Sequence, residues 1–351
     1  MKKRISIALA LIMVFLTLTA CGGGNGDNAA TSAAPNTSSV EAEALVDAEP
    51  SDASASGDKP KVCLLMGKST SPYSGTYFMK FKESMELYPD IEWHAFDAQS
   101  DATLQAQQAD EAIAMGAAVI MMQPIDSNAL IASAQKISEA GIPLVICNTK
   151  LAPEGDDFIT CFYGPDLYQE GVLAADLMAE KFPDGCKYVH LGQDPSNETG
   201  RLRLAGFVER SEEAGYNFEL LGTSPSCDWQ AEKGKVFMSA FLSQFPGDID
   251  AVWAIDDAVG YGALQAVQED MSGMNDDIQI VSVGGQEANL AAIKQNTNYL
   301  GTIYQSPRIE VEGAMTLVSD IVKGNMPEEK NLGMDLPTIT IENVDETEVA
   351  Y

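Results

Sequence analysis

From Lys61 onward the chain alternates short apolar runs with amphipathic stretches, and no other feature restricts its fold so strongly. Residues 62–66, 92–96, 118–122, 144–147 and 159–162 read as strands, with helices at 78–87, 102–115 and 128–140 between the earlier ones. The pattern then repeats: strands at 187–191, 218–221, 251–254, 278–283 and 299–304 alternate with helices at 167–181, 201–213, 230–243, 258–269 and 286–294. A helix at 309–323 and a strand at 338–341 close the chain. Short continuous apolar runs separated by helices mark parallel sheets covered on both faces. Two such sets predict an α/β protein of two doubly wound parallel-sheet lobes. The length from Pro60 to Tyr351 also exceeds what one hydrophobic core usually serves.

Met1-Lys2-Lys3-Arg4 precedes an apolar run at 5–18 that ends in Leu18-Thr19-Ala20-Cys21. A basic start, an apolar stretch of this length and small residues at its end make an export signal, because a spanning helix needs about 20 apolar residues. Leu-Thr-Ala-Cys resembles the lipobox of bacterial lipoproteins, in which the cysteine becomes the lipidated first residue of the mature chain. The resemblance implies a signal peptide over 1–20 and lipidation at Cys21, with the protein anchored at the outer face of the cell membrane or in the periplasm. An ordinary secretory signal with an incidental cysteine is the alternative. Residues 22–59 are Gly, Ala, Ser, Thr, Asn and Pro with scattered acids, and they lack aromatic residues. Such a segment cannot bury a core, so 21–59 is expected to be a lipidated cysteine and a disordered tether. About 38 residues of flexible chain reach roughly 35 Å.

The formal charge of −31 argues against nucleic acid as a partner, since non-specific affinity for phosphate backbones comes from Lys and Arg. It argues equally against an anionic lipid surface, which leaves attachment to the lipid anchor. Beyond Cys21, the cysteines are Cys63, Cys147, Cys161, Cys186 and Cys227, an odd number. Most lie in or beside apolar runs, where a free cysteine behaves as a small buried hydrophobe; one disulfide stays open. No C-x-x-C occurs, and His94 and His190 stand far from any cysteine, so no metal site is expected.

In doubly wound folds ligands bind outside the carboxyl ends of the strands. The residues just after the strands are polar and aromatic: 67–78 after the first, Asn148-Thr149-Lys150 after the fourth, and in the second half 194–201, Cys227-Asp228-Trp229-Gln230, Asp256-Asp257, 284–287 and Gln305-Ser306-Pro307. Gln123-Pro124-Ile125-Asp126-Ser127, Gly141-Ile142-Pro143-Leu144-Val145, Gly200-Arg201-Leu202-Arg203-Leu204-Ala205-Gly206-Phe207 and the stretch from Ala254 to Ala263 follow in an order and spacing that resembles the type I periplasmic substrate-binding proteins of the ribose- and galactose-binding kind. These deliver ligands to ATP-driven importers, and the likeness runs over nearly all of 61–344.

The resemblance implies two lobes joined by three crossings near Tyr163-Gly164, Gln305-Ser306 and Thr338. The first lobe is expected at 60–163 plus 306–337, the second at 164–305 plus 338–345. Carried over position by position, it places Ser71 and an aromatic from Tyr73, Tyr77 or Phe78 in the pocket, with Asn148, Thr149, Arg201, Trp229, Asp256 and Gln305. Trp229 and a tyrosine offer flat apolar faces to a sugar ring. Arg201 offers a fork of donors, Asp256 charge-assisted acceptors, and Gln305 and Asn148 both donors and acceptors. Asn148 and Thr149 stand where sugar binders of this kind often carry Asp and Arg, and Gly284 where many carry another Asp. A ribose or glucose specificity therefore does not transfer directly.

Each assignment has a plainer rival. Trp229 also fits a helix start packed on the lobe surface, Asp256 or Asp257 a helix cap, and Arg201 a surface pair with Glu198 or Glu209. Asp126-Ser127 reads as a helix start. The sequence lacks G-x-S-x-G, H-E-x-x-H and the P-loop pattern, so neither catalysis nor a cofactor is expected. The reading is a solute-binding lipoprotein, monomeric, that captures a sugar or polyol by hinge closure and hands it to ABC permease subunits. The alternatives are a sensor that presents its closed state to a membrane receptor kinase, or the same fold binding a nucleoside, an amino acid or an autoinducer.

Overall fold

The structure is a computed structural model that describes residues 58–195 and 197–351. The signal, Cys21 and nearly all of the tether lie outside the described residues. In the first lobe the order is β1 (Lys61–Met66), α1 (Pro72–Ser84), β2 (Glu92–Asp97), α2 (Ala102–Ala114), β3 (Val119–Gln123), α3 (Ile131–Glu139), β4 (Leu144–Cys147) and β5 (Cys161–Gly164). The second contains α4 (Leu167–Lys181), β6 (Cys186–Leu191), α5 (Glu198–Ala214), β7 (Phe218–Thr223), α6 (Ala231–Gln244), β8 (Ala251–Ala254), α7 (Asp257–Glu269), β9 (Gln279–Gly284), α8 (Glu287–Lys294) and β10 (Tyr299–Tyr304). The chain then returns through α9 (Pro307–Val322) and β11 (Asn331–Gly333) before β12 (Thr338–Thr340).

The two sheets have matching orders, β11-β5-β4-β3-β1-β2 and β12-β10-β9-β8-β6-β7. All pairings are parallel except β10 with β12. The two parallel-sheet lobes expected from the sequence are present, and at one edge β12 follows a short connection and runs back antiparallel against β10. The chain passes between the sheets after Gly164, after Tyr304 and between Gly333 and Thr338.

Both faces of each sheet are covered, which is why the strands read as unbroken apolar runs. In β3, Val119 and Met121 enter the cluster formed with α1 and α9, while Ile120 and Met122 enter the cluster formed with α2 and α3. The second sheet divides its faces between α4 and α5 on one side and α6, α7 and α8 on the other. Cys63, Cys147, Cys161, Cys186 and Cys227 are free and buried in these layers.

Local sequence sets where the helices begin, and here the structure departs from the expected limits. Helix α1 starts six residues before the predicted 78, because Ser71 caps it by accepting from Ser74 N and Pro72 fits its first turn. Helix α5 starts at Glu198 rather than Arg201, with Asn197 Oδ1 accepting from Gly200 N at 2.9 Å. Strand β5 begins at Cys161 instead of 159, after a short 3-10 turn over Pro153–Phe158, and β11 is an edge strand too short for the apolar pattern to mark.

Helices α4 and α5 pack with backbones almost in contact. A Cβ on Gly171 would lie 2.0 Å from Arg203 O, and one on Gly206 would lie 2.0 Å from Tyr168 O. This reciprocal notch sets the height of Arg203 against Glu170, which matters for the site below. Gly206→Ala must force the helices apart. Chemical denaturation should show a loss of about 1–3 kcal/mol or more, and an unchanged midpoint would refute the notch.

Candidate functional site

A cavity of about 650 Å³ lies at the carboxyl ends of both sets of strands. The first lobe lines it with Lys68, Ser71, Tyr73, Gln123, Asn148 and Thr149, and the second with Gln193, Thr199, Arg203, Trp229, Asp256 and Val283; Gln305, at a crossing, and Tyr351 complete the wall. Its size falls inside the range of roughly 300–1,000 Å³ typical of small-molecule sites.

The polar groups are positioned by strand ends and helix starts. Ser71 caps α1, and Tyr73 in the first turn donates its hydroxyl to Glu310 of α9 while accepting from Gln305 Nε2 at 3.0 Å. Asn148 follows β4 with φ +62°, a left-handed conformation that Asn tolerates, and donates Nδ2 to the same Glu310 carboxylate at 3.2 Å. Thr149 Oγ1 lies 3.5 Å from Thr199 Oγ1, so the lobes approach each other across the cavity. Asp228 and Trp229 have φ +49° and +61°, two consecutive left-handed residues that aim the half-buried indole at the cavity. Lys68 Nζ stands 5.9 Å above that ring. Asp256 caps α7, its Oδ1 accepting from Val259 N at 2.9 Å, and also lines the cavity.

Three expected residues stand elsewhere. Tyr77 is fully buried and Phe78 packs on the first lobe's core under Lys82, because the earlier start of α1 puts both in its second turn rather than at the end of the loop and the start of the helix. Arg201 points outward, its side chain 54% exposed, and pairs with Glu198. Arg203, two residues on, is 4% exposed and lines the cavity instead. The helix phase decides between them: Arg203 shares the inward face with Gly200, Gly206 and Phe207, and Arg201 does not. Gly284 leaves no room for an aspartate, since a Cβ there would lie 2.7 Å from Asp257 Cγ. The Asp257 carboxylate is occupied in turn by Ser282, Thr302 Oγ1 at 2.8 Å, Gly285 N at 2.6 Å and Gln286 N at 2.9 Å.

The model of the periplasmic binding protein domain matches residues 62–326. The chain belongs to the periplasmic binding protein family. Among curated proteins it is similar to the ribose import binding protein RbsB of Bacillus subtilis, 27% identical over 272 residues that cover 77% of this chain and 84% of the relative. It is also similar to the xylitol-binding protein of Mycolicibacterium smegmatis, 26% identical over 275 residues and covering 77% and 75% of the two chains. A solved solute-binding protein of Bacillus halodurans, crystallised with myo-inositol, superposes with a TM-score of 0.75 at 23% identity over 85% of this chain and 100% of that one. The two parallel-sheet lobes are the type I arrangement of this family.

Beneath the cavity of this family member runs a buried polar chain. Arg203 Nε donates to Glu170 Oε2 at 2.6 Å, Nη1 to Ile255 O at 2.9 Å and Nη2 to Gln305 Oε1 at 2.8 Å, and Gln305 continues to Tyr73 and Glu310. Arg203 therefore lines the cavity with three of its five N–H donors engaged inward. Burial pushes the Glu170 carboxyl up, opposed by Arg203. Burial also raises Glu310 to about 7, against the bonds from Tyr73 and Asn148, and Asp256 to about 6, against its cap bond from Val259.

Two expectations follow from this chemistry. Arg203→Ala leaves the Glu170 charge buried without its partner and should cost about 3–5 kcal/mol in denaturant titration, whereas Arg201→Ala should cost under about 1 kcal/mol; equal losses would refute the assignment. Between the ordinary carboxyl value of 4.5 and about 7, the folded chain keeps a proton on Glu310 that the unfolded chain releases. Stability from this group therefore falls as pH rises through that window, and Asp256 acts in the same direction at lower pH. Glu310→Gln should gain on the parent across it by an amount on the order of 3 kcal/mol, read from unfolding curves at pH 4.5 and 7.5; a difference independent of pH would contradict it.

Proposed function

We propose that this protein is an extracytoplasmic solute-binding lipoprotein that captures a sugar or polyol between its lobes by hinge closure and delivers it to an ABC permease. The observation that carries the ligand class is the pairing of an aromatic face with an uncommitted carboxylate oxygen: Trp229 and Asp256 line one cavity, and only Oδ1 of Asp256 is taken by its helix cap. A sugar or polyol presents C–H surface to the first and hydroxyls to the second. Asn148, Thr149 and Gln193 add amides and a hydroxyl that both donate and accept. The relatives named for ribose and xylitol, and the neighbour holding myo-inositol, support the same class.

The construction supports closure. The wall is split between two lobes joined at three crossings, so a ligand that touches both sides favours the form in which they meet. It shifts that equilibrium only by the difference in its affinity for the two forms. The −31 charge keeps phosphorylated and other anionic solutes disfavoured. The tether and Cys21 lipid would hold the protein at the membrane where a permease sits, two acyl chains or an equivalent second signal being needed for lasting attachment.

The test is a thermal-shift screen of the domain from Pro60 onward against sugars, polyols, nucleosides and amino acids, confirmed by calorimetry. A true ligand at 100 times its Kd should add about 2.7 kcal/mol of apparent stability. Asp256→Asn, which keeps a capping side chain, should weaken a sugar or polyol hit by roughly 10- to 150-fold, the worth of a charged hydrogen bond; Trp229→Ala should weaken it by a comparable factor. A screen in which only nucleosides or amino acids stabilise the protein would replace the ligand class and leave the fold intact.

A further inference from the structure

We propose that Tyr351, carried into the cavity by the segment that follows β12, is a specificity-determining residue whose ring touches the ligand and limits the size the cavity admits. The proposal rests on the ligand-binding reading above and names a residue that reading does not use. The family match ends at residue 326, so this part of the wall is built by sequence outside it.

The segment is held against the second lobe along its length. Val344, at the start of a single 3-10 turn, joins the core beside α7 and α8, and Asp345 pairs with Lys294 of α8. Ala350 is fully buried, its N donating to Gly285 O at 2.9 Å, and Tyr351 O accepts from Glu287 N at 3.3 Å. Two glycines after β9 make the seat. A Cβ on Gly284 would lie 2.8 Å from Tyr351 Oη, and one on Gly285 would lie 2.8 Å from Ala350 Cβ. Both have positive φ, +155° and +146°, which side-chain-bearing residues rarely adopt. The aspartate that sugar binders of this kind often carry at Gly284 is thus replaced by an aromatic that arrives from another part of the chain.

The orientation of the ring gives it its role. Its hydroxyl lies in the glycine seat beside Asp257 and Gln286, so the cavity receives ring carbon. On the first lobe it meets Tyr73 edge-on, centroids 5.5 Å apart and planes at 85°. Tyr73 is itself fixed by Glu310 and Gln305, so the pair forms a stiff aromatic corner spanning the two lobes. Such a corner suits the apolar edge of one small ring and obstructs a second ring.

Calorimetry on the parent and on Tyr351→Phe, Tyr351→Leu and Tyr351→Ala decides the matter. The probes are D-ribose, xylitol, myo-inositol, adenosine and L-serine, with cellobiose as the oversize probe. Tyr351→Phe should bind the parent's probe within about threefold, because the hydroxyl faces the seat. Tyr351→Ala should weaken that probe at least tenfold and gain binding of cellobiose. Tyr351→Leu, which keeps apolar packing in the seat, should reproduce the loss with its melting transition preserved, and so separates the effect from misfolding. An unchanged Kd, or continued exclusion of cellobiose, overturns the proposal. If only adenosine or L-serine binds the parent, the sugar reading fails, and the same comparison on that probe still decides the role of Tyr351.

Discussion

The Glu170–Arg203 pair is the interaction on which the site depends. Both side chains are almost wholly buried, and a charge taken out of water is tolerable only when its partner and its remaining donors are satisfied. Arg203 answers most of that demand by reaching three elements at once with three of its five donors: α4 through Glu170, the end of β8 through Ile255 O, and the second crossing through Gln305. Gln305 carries the chain on to Tyr73 and Glu310, so one hydrogen-bonded path runs from the second lobe through a crossing into the first. The Gly171–Gly206 notch supports it, since a wider gap between α4 and α5 would move Arg203 off Glu170.

This arrangement divides the cavity wall into groups that are committed and groups that are free. Arg203, Gln305, Tyr73 and Glu310 are bonded in sequence and act as a preformed floor, in which Glu310 Oε1 has no hydrogen-bond partner among the described residues. Trp229 and the second oxygen of Asp256 keep their capacity for a ligand, and Lys68, above the indole, is the lining cation that forms no ion pair among the described residues. A rigid floor with a few free groups above it lowers the ordering cost of binding.

How much of this was legible in the sequence varies with the kind of signal. The layered α/β architecture was plain, because strands buried on both faces produce continuous apolar runs. Ser71, Tyr73, Asn148, Thr149, Trp229, Asp256 and Gln305 were placed at strand ends, and the structure gathers them around one cavity. The start of α1 was misjudged although Ser71-Pro72 is a helix-start signal, because Ser74, Gly75 and Thr76 weaken the helical pattern behind it. That shift alone moves Tyr77 from the loop and Phe78 from the helix start into the second turn of α1, where Tyr77 is buried and Phe78 packs partly buried against the core. Arg203 was legible in principle from the phase of α5, and spacing to the neighbouring Arg201 concealed it. Tyr351 had no local signal, since the residues after β12 show no periodicity and their position depends on two glycines some 65 residues earlier in the chain.

The path of the chain also governs the order in which the protein can assemble. Helix α9 and strand β11 return to the first sheet only after the second has been laid down, and β12 then crosses back. Until about residue 333 has been made, the first sheet has β5 as an open edge, and its face beneath Val311, Ala314 and Met315 is bare. Neither half is a self-sufficient folding unit during synthesis, and the contacts that complete each are of long sequence range, which slows folding. A polypeptide of this topology completes neither sheet before residues 331–340 exist, so its two lobes are finished late and together rather than one after the other.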